Sequence, residues 1–238
     1  MNHSIKIVAI HQPNFFPWLG FFDKIWISDK FVLLDDVQFI KKGGNWGNRM
    51  MLLIETKKKW VTVPIHRSYH GYKLINEIEI NNEIPWKRKF FGQLDSYYKK
   101  CNFFDETILW LKEMLDKNEQ KLADFNTKVI TSLVRKLSIG EEKLVLSSKL
   151  LTQGKATDRL ISIVNAVQGN CYLCGGGADG YQEDEKFKQT GITLRYQNFE
   201  HPKYYREDSL FFTPGLSIVD CLMNIGVEGV EKLLKGDI

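Results

Sequence analysis

Residues 5–36 read IKIVAIHQPNFFPWLGFFDKIWISDKFVLLDD, and this stretch decides the fold. Ile5 to Ile10 is a short apolar run with β-branched residues that ends in the turn-prone His11-Gln12-Pro13-Asn14, the pattern of a buried strand running into a loop. The period then changes. Trp18, Phe21, Phe22 and Ile25 fall at i, i+3, i+4 and i+7, and Pro17 suits a first helical turn, so the spacing predicts an amphipathic helix from Pro17 to about Ser28. Phe31 to Leu34 is a second buried run, ending at Asp35-Asp36. Strand, helix and strand within 40 residues make a parallel crossover unit.

Outward from this unit, residues 41–50 (KKGGNWGNRM) carry three glycines and predict an irregular loop. Met51 to Glu55 and Trp60 to Ile65 flank three lysines as a hairpin, and Leu74 to Ile80 alternates like a half-exposed strand. The stretch 85–137 is helical by pattern, with Leu122, Phe125, Val129, Leu133 and Leu137 on one stripe, as an insertion or a cover over the sheet. From Lys143 the alternation returns. Strands are expected at Leu144 to Leu146, Cys171 to Cys174 and Ile192 to Tyr196. Helices are expected from Thr157-Asp158, over Glu183 to Lys188, and over Ser217 to a stop at Gly226. The expected fold class is α/β, a mostly parallel, Rossmann-like sheet with helices on both faces, plus a hairpin and the helical insertion, all in one domain, 1–238.

Composition sets the bounds. With 238 residues, 43% hydrophobic and 26% charged, the chain reads as a globular protein with a core throughout. The net charge of +4 is too small and too evenly spread to argue for nucleic acid as principal partner. No apolar run approaches the roughly 18–20 residues of a membrane span, and Lys6 leads straight into a strand-like segment rather than a signal peptide, so a cytoplasmic protein is expected. The four cysteines, Cys101, Cys171, Cys174 and Cys221, read as reduced, buried thiols. Cys171 and Cys174 lie three apart on a strand and so face opposite sides, and no second pair accompanies them, which argues against a metal site.

In open parallel sheets ligands bind beyond the carboxyl ends of the strands, and this rule selects the candidates. His11, Gln12 and Asn14 follow the first strand, Asp35 and Asp36 the second, and Gly175, Gly176, Gly177 and Tyr181 a later one. His11 is a general base by one reading and the holder of a turn by another. Asp35 and Asp36 either share acid–base or orienting work with it or cap the glycine loop. Trp46, Asn48 and Arg49 supply a ring, an amide and a guanidinium fork suited to a sugar or nucleotide with an anionic group, while Arg49 has a second reading as a scaffold partner of the acids. The 175–180 loop matches neither a Walker A sequence nor a G-x-G-x-x-G fingerprint, yet lets backbone approach a ligand. His201 and Tyr204 sit in a turn-like stretch where packing competes with a site role.

The runs AIHQPNFFPWLGFFDKI, DKFVLLDDVQF with Asn48-Arg49 ten residues on, YLCGGGADGYQEDEKFKQTGITLRYQNFEHPKYY and LSIVDCLMNIG, in that order, resemble the WbqC-like family over nearly the whole chain. The resemblance implies a place in O-antigen or other surface-polysaccharide biosynthesis and a glycine or amino-acyl transferase role. Its motif members here are His11, Gln12, Pro13, Trp18, Asp35, Asp36, Asn48, Arg49, Gly175, Tyr181, His201 and Tyr204. Cys174 stands where a serine is expected before the first glycine, which tells against a hydroxyl-dependent role. The N-terminal unit also looks like the start of adenylyl-transferring enzymes of the pantothenate-synthetase kind, without their double-histidine signature.

The resulting expectation is a transferase attaching an acyl or glycine-like amino-acyl group to an amino sugar on a nucleotide or lipid carrier, with His11 as base and Asp35 or Asp36 orienting. The small-molecule partner is then a nucleotide sugar or an activated acyl donor, and no cofactor is assigned. Two alternatives stand beside it: ATP-dependent adenylyl transfer with Mg²⁺ near Asp36, and a non-catalytic sugar-binding protein that uses its tryptophans as stacking surfaces.

Overall fold

The computed structural model describes residues 4–41, 46–175, 183–206 and 212–237. Five parallel strands form the main sheet: β1 (Ile7–His11), β2 (Lys30–Leu33), β5 (Leu144–Leu146), β6 (Cys171–Gly175) and β7 (Thr193–Gln197). Their spatial order is β5-β2-β1-β6-β7, with every neighbouring pair parallel. In order of appearance this is third-second-first-fourth-fifth. The chain therefore builds outward from β1 on one side and then crosses to build outward on the other. The reversal falls between β1 and β6, and ligands of such sheets lodge at that switch point.

Alternation along the strands buries both faces. Ala9, Phe31, Leu33 and Leu173 join one core with α1 (Leu19–Ile27) and α7 (Ile218–Lys235). Val8, Ile10, Val32, Tyr172 and Cys174 join a second with α5 (Ala156–Ala166) and α6 (Asp184–Gln189), where Phe187 stacks on Tyr172 at 5.3 Å. Two-sided burial is why these strands read as unbroken apolar runs. All four cysteines are buried thiols outside any disulfide.

Between β2 and β5 in the chain, β3 (Arg49–Ile54) and β4 (Lys57–Thr62) form an antiparallel hairpin. It turns on Glu55 and Thr56, both at positive φ (53° and 61°), so the three lysines belong to the second strand and not to the turn. Helices α2 (Trp86–Tyr98), α3 (Phe104–Leu115) and α4 (Leu122–Lys136) follow, their apolar faces in the same core as α1 and α7. Their helical stretch is thus cut in three.

Two expectations of detail fail. Leu74 to Ile80 is a short 3-10 turn at Ile75–Glu77 flanked by isolated bridges, because Leu74, Ile80 and Glu79 each pair with a different segment: Gln38, Ile65 and Lys121. The closing helix does not stop at Gly226. That glycine breaks the helical backbone (φ 66°, ψ −175°) and the helix resumes to Lys235, with Gly236 in the left-handed cap conformation. Among the described residues no helix is long and apolar enough to cross a membrane.

Candidate functional site

His11 ends β1 at the switch point. The register Ala9 opposite Leu173, continued two residues along the parallel pair, brings His11 level with Gly175. Its Nδ1 lies 3.0 Å from the Gln12 carbonyl oxygen, which can only accept, so Nδ1 carries the proton and Nε2 presents a lone pair. Trp18 and Phe21 meet the imidazole edge-on at 5.6 and 5.1 Å, leaving it half-buried. Burial first, and the Lys24 ammonium second, push its pKa from the ordinary 6.5 down to about 4. At neutral pH His11 is an uncharged imidazole.

The turn after it is braced. Phe15 N–H donates to Trp46 O at 3.0 Å. The buried Asn126 amide of α4 donates to Pro13 O at 2.8 Å and Gly47 O at 2.6 Å, sewing the two loops together. Phe16, fully buried, is held at φ 41°, and its carbonyl accepts from Ser217 Oγ at 2.7 Å. Left-handed backbone at a bulky residue is strain that the surroundings must over-determine, and it falls in the turn that carries the histidine.

From His11 a chain of rings runs across the head of α1 toward the hairpin. Trp18 lies 4.9 Å from Trp46, Trp46 lies 5.1 Å from Trp60, and the Arg49 guanidinium sits 4.1 Å above the Trp60 ring. Trp60 keeps 36% of its surface exposed, and Trp18, Trp46 and Arg49 are half-buried. Phe199 flanks this strip: a Cβ on Gly20 would come within 2.7 Å of its ring and 2.9 Å of Trp18 Nε1, so only glycine admits that approach. His201 meets Phe199 edge-on at 4.9 Å, its pKa lowered by burial and by Lys58.

On the other side of His11 stands Lys24, 4% exposed, its Nζ so near the end of β6 that a Cβ on Gly175 would lie 3.3 Å from it. Burial brings its pKa from 10.5 to about 8, against the opposing pull of Cys174 and Asp23. Asp23 itself accepts from Gln197 Nε2 at 2.6 Å, and burial raises its pKa.

The other candidates are engaged elsewhere. Ser147 Oγ, with its one hydroxyl proton, lies within hydrogen-bond reach of both carboxylates, 3.0 Å from Asp35 and 2.5 Å from Asp36, while Ser148 N–H donates to Asp35 at 3.0 Å and Asp36 pairs with Arg159 of α5. The acids therefore tie the ends of β2 and β5 to one another and to a helix. Arg159 supplies the guanidinium that meets Asp36, while that of Arg49 stacks on Trp60. Asn48 is buried and donates to Val63 O at 2.9 Å, and Asn14 is buried beside the turn. The Tyr204 hydroxyl turns inward, 2.6 Å from Asp220. Gly176, Gly177 and Tyr181 lie outside the described residues. Among the described residues no group of three or more His, Cys, Asp or Glu is placed to hold a metal ion.

The family model of the WbqC-like protein family matches residues 12–232, from the glutamine after His11 to the last turns of α7. The chain belongs to the WbqC-like family. This WbqC-like chain is also similar to the uncharacterised protein Rv1507c of Mycobacterium tuberculosis, 27% identical over 230 residues that cover 96% of this chain and 98% of the relative. No solved structure matches it. Of the WbqC-like motif members, the HQP turn, Trp18 and Gly175 stand at the switch point, Arg49 lies at the far end of the ring strip, Asn48 bonds Val63 O, and the Asp35-Asp36 pair braces the neighbouring strand ends.

Sequence reasoning passed over Lys24 and Phe199. Lys24 lies three residues after Phe21 and one before Ile25, on the border of the apolar stripe, which was the signal available for a lysine drawn inward.

Proposed function

We propose that this WbqC-like protein is a transferase of surface-polysaccharide synthesis that attaches an activated acyl or amino-acyl group to an amino sugar carried on a nucleotide or lipid. The observation that carries the reading is the fixed, neutral tautomer of His11 beside a strip of half-exposed rings. A sugar or base stacks on Trp18, Trp46 and Trp60, as pyranose and nucleobase faces do on aromatic platforms, and Arg49 holds an anionic substituent. The sugar amine attacks the acyl carbonyl carbon, its proton passes to His11 Nε2, and the leaving group departs with the electron pair of the broken acyl bond. An anion on the ligand would offset the Lys24 charge and so raise the basicity of His11 in the complex, which suits a base whose pKa lies near 4 in the free protein. Asp35 and Asp36 serve as positioning residues that hold the strand ends through Ser147 and Arg159.

His11→Gln tests this in an assay of acyl transfer to nucleotide-linked amino sugars. The expected result is a kcat lowered about 10²–10⁴-fold with sugar affinity unchanged within a few-fold. Unchanged kcat would remove His11 from the chemistry.

Adenylyl transfer is a second reading, favoured by the Lys24 ammonium at the end of β6, where phosphates would lie. ATP-dependent release of pyrophosphate distinguishes it.

A further inference from the structure

We propose that Lys24 is the anion-binding residue of the crevice between β1 and β6, and that the group it takes is a diphosphate. The inference rests on the reading of that switch point as the ligand site.

A lysine 4% exposed is unusual, since the ammonium loses its hydration and is normally compensated when buried. Among the described residues the Lys24 ammonium makes no hydrogen bond or ion pair. The carboxylate next to it in sequence, Asp23, is turned toward Gln197, whose amide donates to Asp23 and to Gly20 O. Its remaining close neighbours are a thiol, Cys174, and the neutral ring of His11. The protein thus holds a weakly compensated positive charge in a low-dielectric place, where an arriving anion gains most.

The place is specific. Nζ stands at the end of β6, where a Cβ on Gly175 would lie 3.3 Å from it, so glycine leaves the ammonium room that a side chain would take. The sheet reverses its order between β6 and β1, the position at which ligands of such sheets lodge. A diphosphate seated on Lys24 puts whatever it carries beside His11 and the Trp18 end of the ring strip. Nucleotide and lipid carriers share the diphosphate, and the side that continues along the rings tells them apart.

Isothermal titration calorimetry with inorganic pyrophosphate, UDP, geranyl diphosphate and uridine tests the assignment on the wild-type chain and on Lys24→Met. The wild type is expected to bind pyrophosphate and at least one of UDP or geranyl diphosphate, the tighter of the two naming the carrier, and to bind each diphosphate more tightly than uridine. Lys24→Met is expected to weaken every diphosphate at least tenfold while melting at the same or a higher temperature, because it removes a buried charge. A lysine that merely held the fold would give a lower melting temperature and unchanged affinity. Absence of diphosphate binding by the wild type, or equal affinity in a folded Lys24→Met, overturns the proposal. Should the variant not fold, ¹³Cε-lysine spectra of the wild type decide: one lysine signal, set apart by its low titration midpoint, moves on addition of pyrophosphate, and an unmoved signal rejects the assignment. Pyrophosphate binding without acyl transfer discards the transferase reading alone, and His11-dependent transfer without a Lys24 effect discards this inference alone.

Discussion

At the scale of single residues, His11 is where local chemistry and stability meet. Its folded pKa of about 4 lies below the ordinary 6.5, so the folded state binds fewer protons than the unfolded chain between those values. The stability this supplies is complete above about pH 6.5 and is lost as pH falls toward 4. Lys24, the charged neighbour, keeps its proton throughout that window, since its pKa is about 8, and contributes no slope of its own. Urea denaturation of the wild type and His11→Gln at pH 7 and pH 5 should therefore show the wild type losing at most about 2 kcal/mol more than the variant on acidification. Parallel losses would mean that the imidazole is solvated. His11, Gln12, Trp46 and Arg49 stand out in the sequence as site candidates because turn chemistry and residue type mark them. Lys24 does not, because a lysine on a helix normally sends its ammonium to water, and only the closure of β6 against α1 prevents that here.

At the scale of elements, the sheet strands were legible as continuous apolar runs, and the helices as stripes. Where a segment takes its partners one residue at a time, the same patterns mislead. The alternation of Leu74 to Ile80 comes from three separate bridges, and no strand results. Gly226 reads as a helix stop because glycine commonly ends helices, yet here it permits a break that lets Phe103 pack against α7. A Cβ at this position would lie 2.6 Å from the Phe103 ring, and its backbone (φ 66°, ψ −175°) falls in a region almost closed to other residues. Gly226→Ala should cost about 3 kcal/mol, read as a lowered denaturation midpoint at unchanged slope, whereas a loss under about 1 kcal/mol would mean that α3 and α7 separate without penalty.

At the scale of the whole molecule, strand and helix alternation told of a parallel sheet covered on both faces, but not on which side of β1 the fourth parallel strand lands. That choice depends on long-range packing of α5 and α7 against opposite faces, and it creates the switch point. Distant segments are joined by another arrangement that residue types alone do not disclose. Asp220, fully buried at the head of α7, accepts from Tyr98 Oη at 2.7 Å and Tyr204 Oη at 2.6 Å and pairs with buried Arg206. Tyr98 Oη in turn accepts from the Leu53 N–H of β3 at 3.0 Å. Burial, with the adjoining carboxylate, holds both phenols well above their ordinary pKa. Asp220→Asn would remove the carboxylate that two phenols and Arg206 share in the core, and a loss of roughly 3–5 kcal/mol in chemical denaturation is expected. A loss near zero would show that the network holds without its carboxylate charge.

A ligand of the proposed site is expected to lie along the rings leading away from His11. The chain has six tryptophans, of which Trp18, Trp46 and Trp60 form the strip and Trp26, Trp86 and Trp110 do not. Titration of ¹⁵N-indole-labelled protein with UDP- and dTDP-linked amino sugars resolves the two sets in one spectrum. Saturable shifts of the Trp18 and Trp46 indoles, with Trp26 and Trp110 unmoved, are the predicted result. Shifts confined to Trp26, Trp86 or Trp110, or six unmoved signals at millimolar ligand, would contradict it.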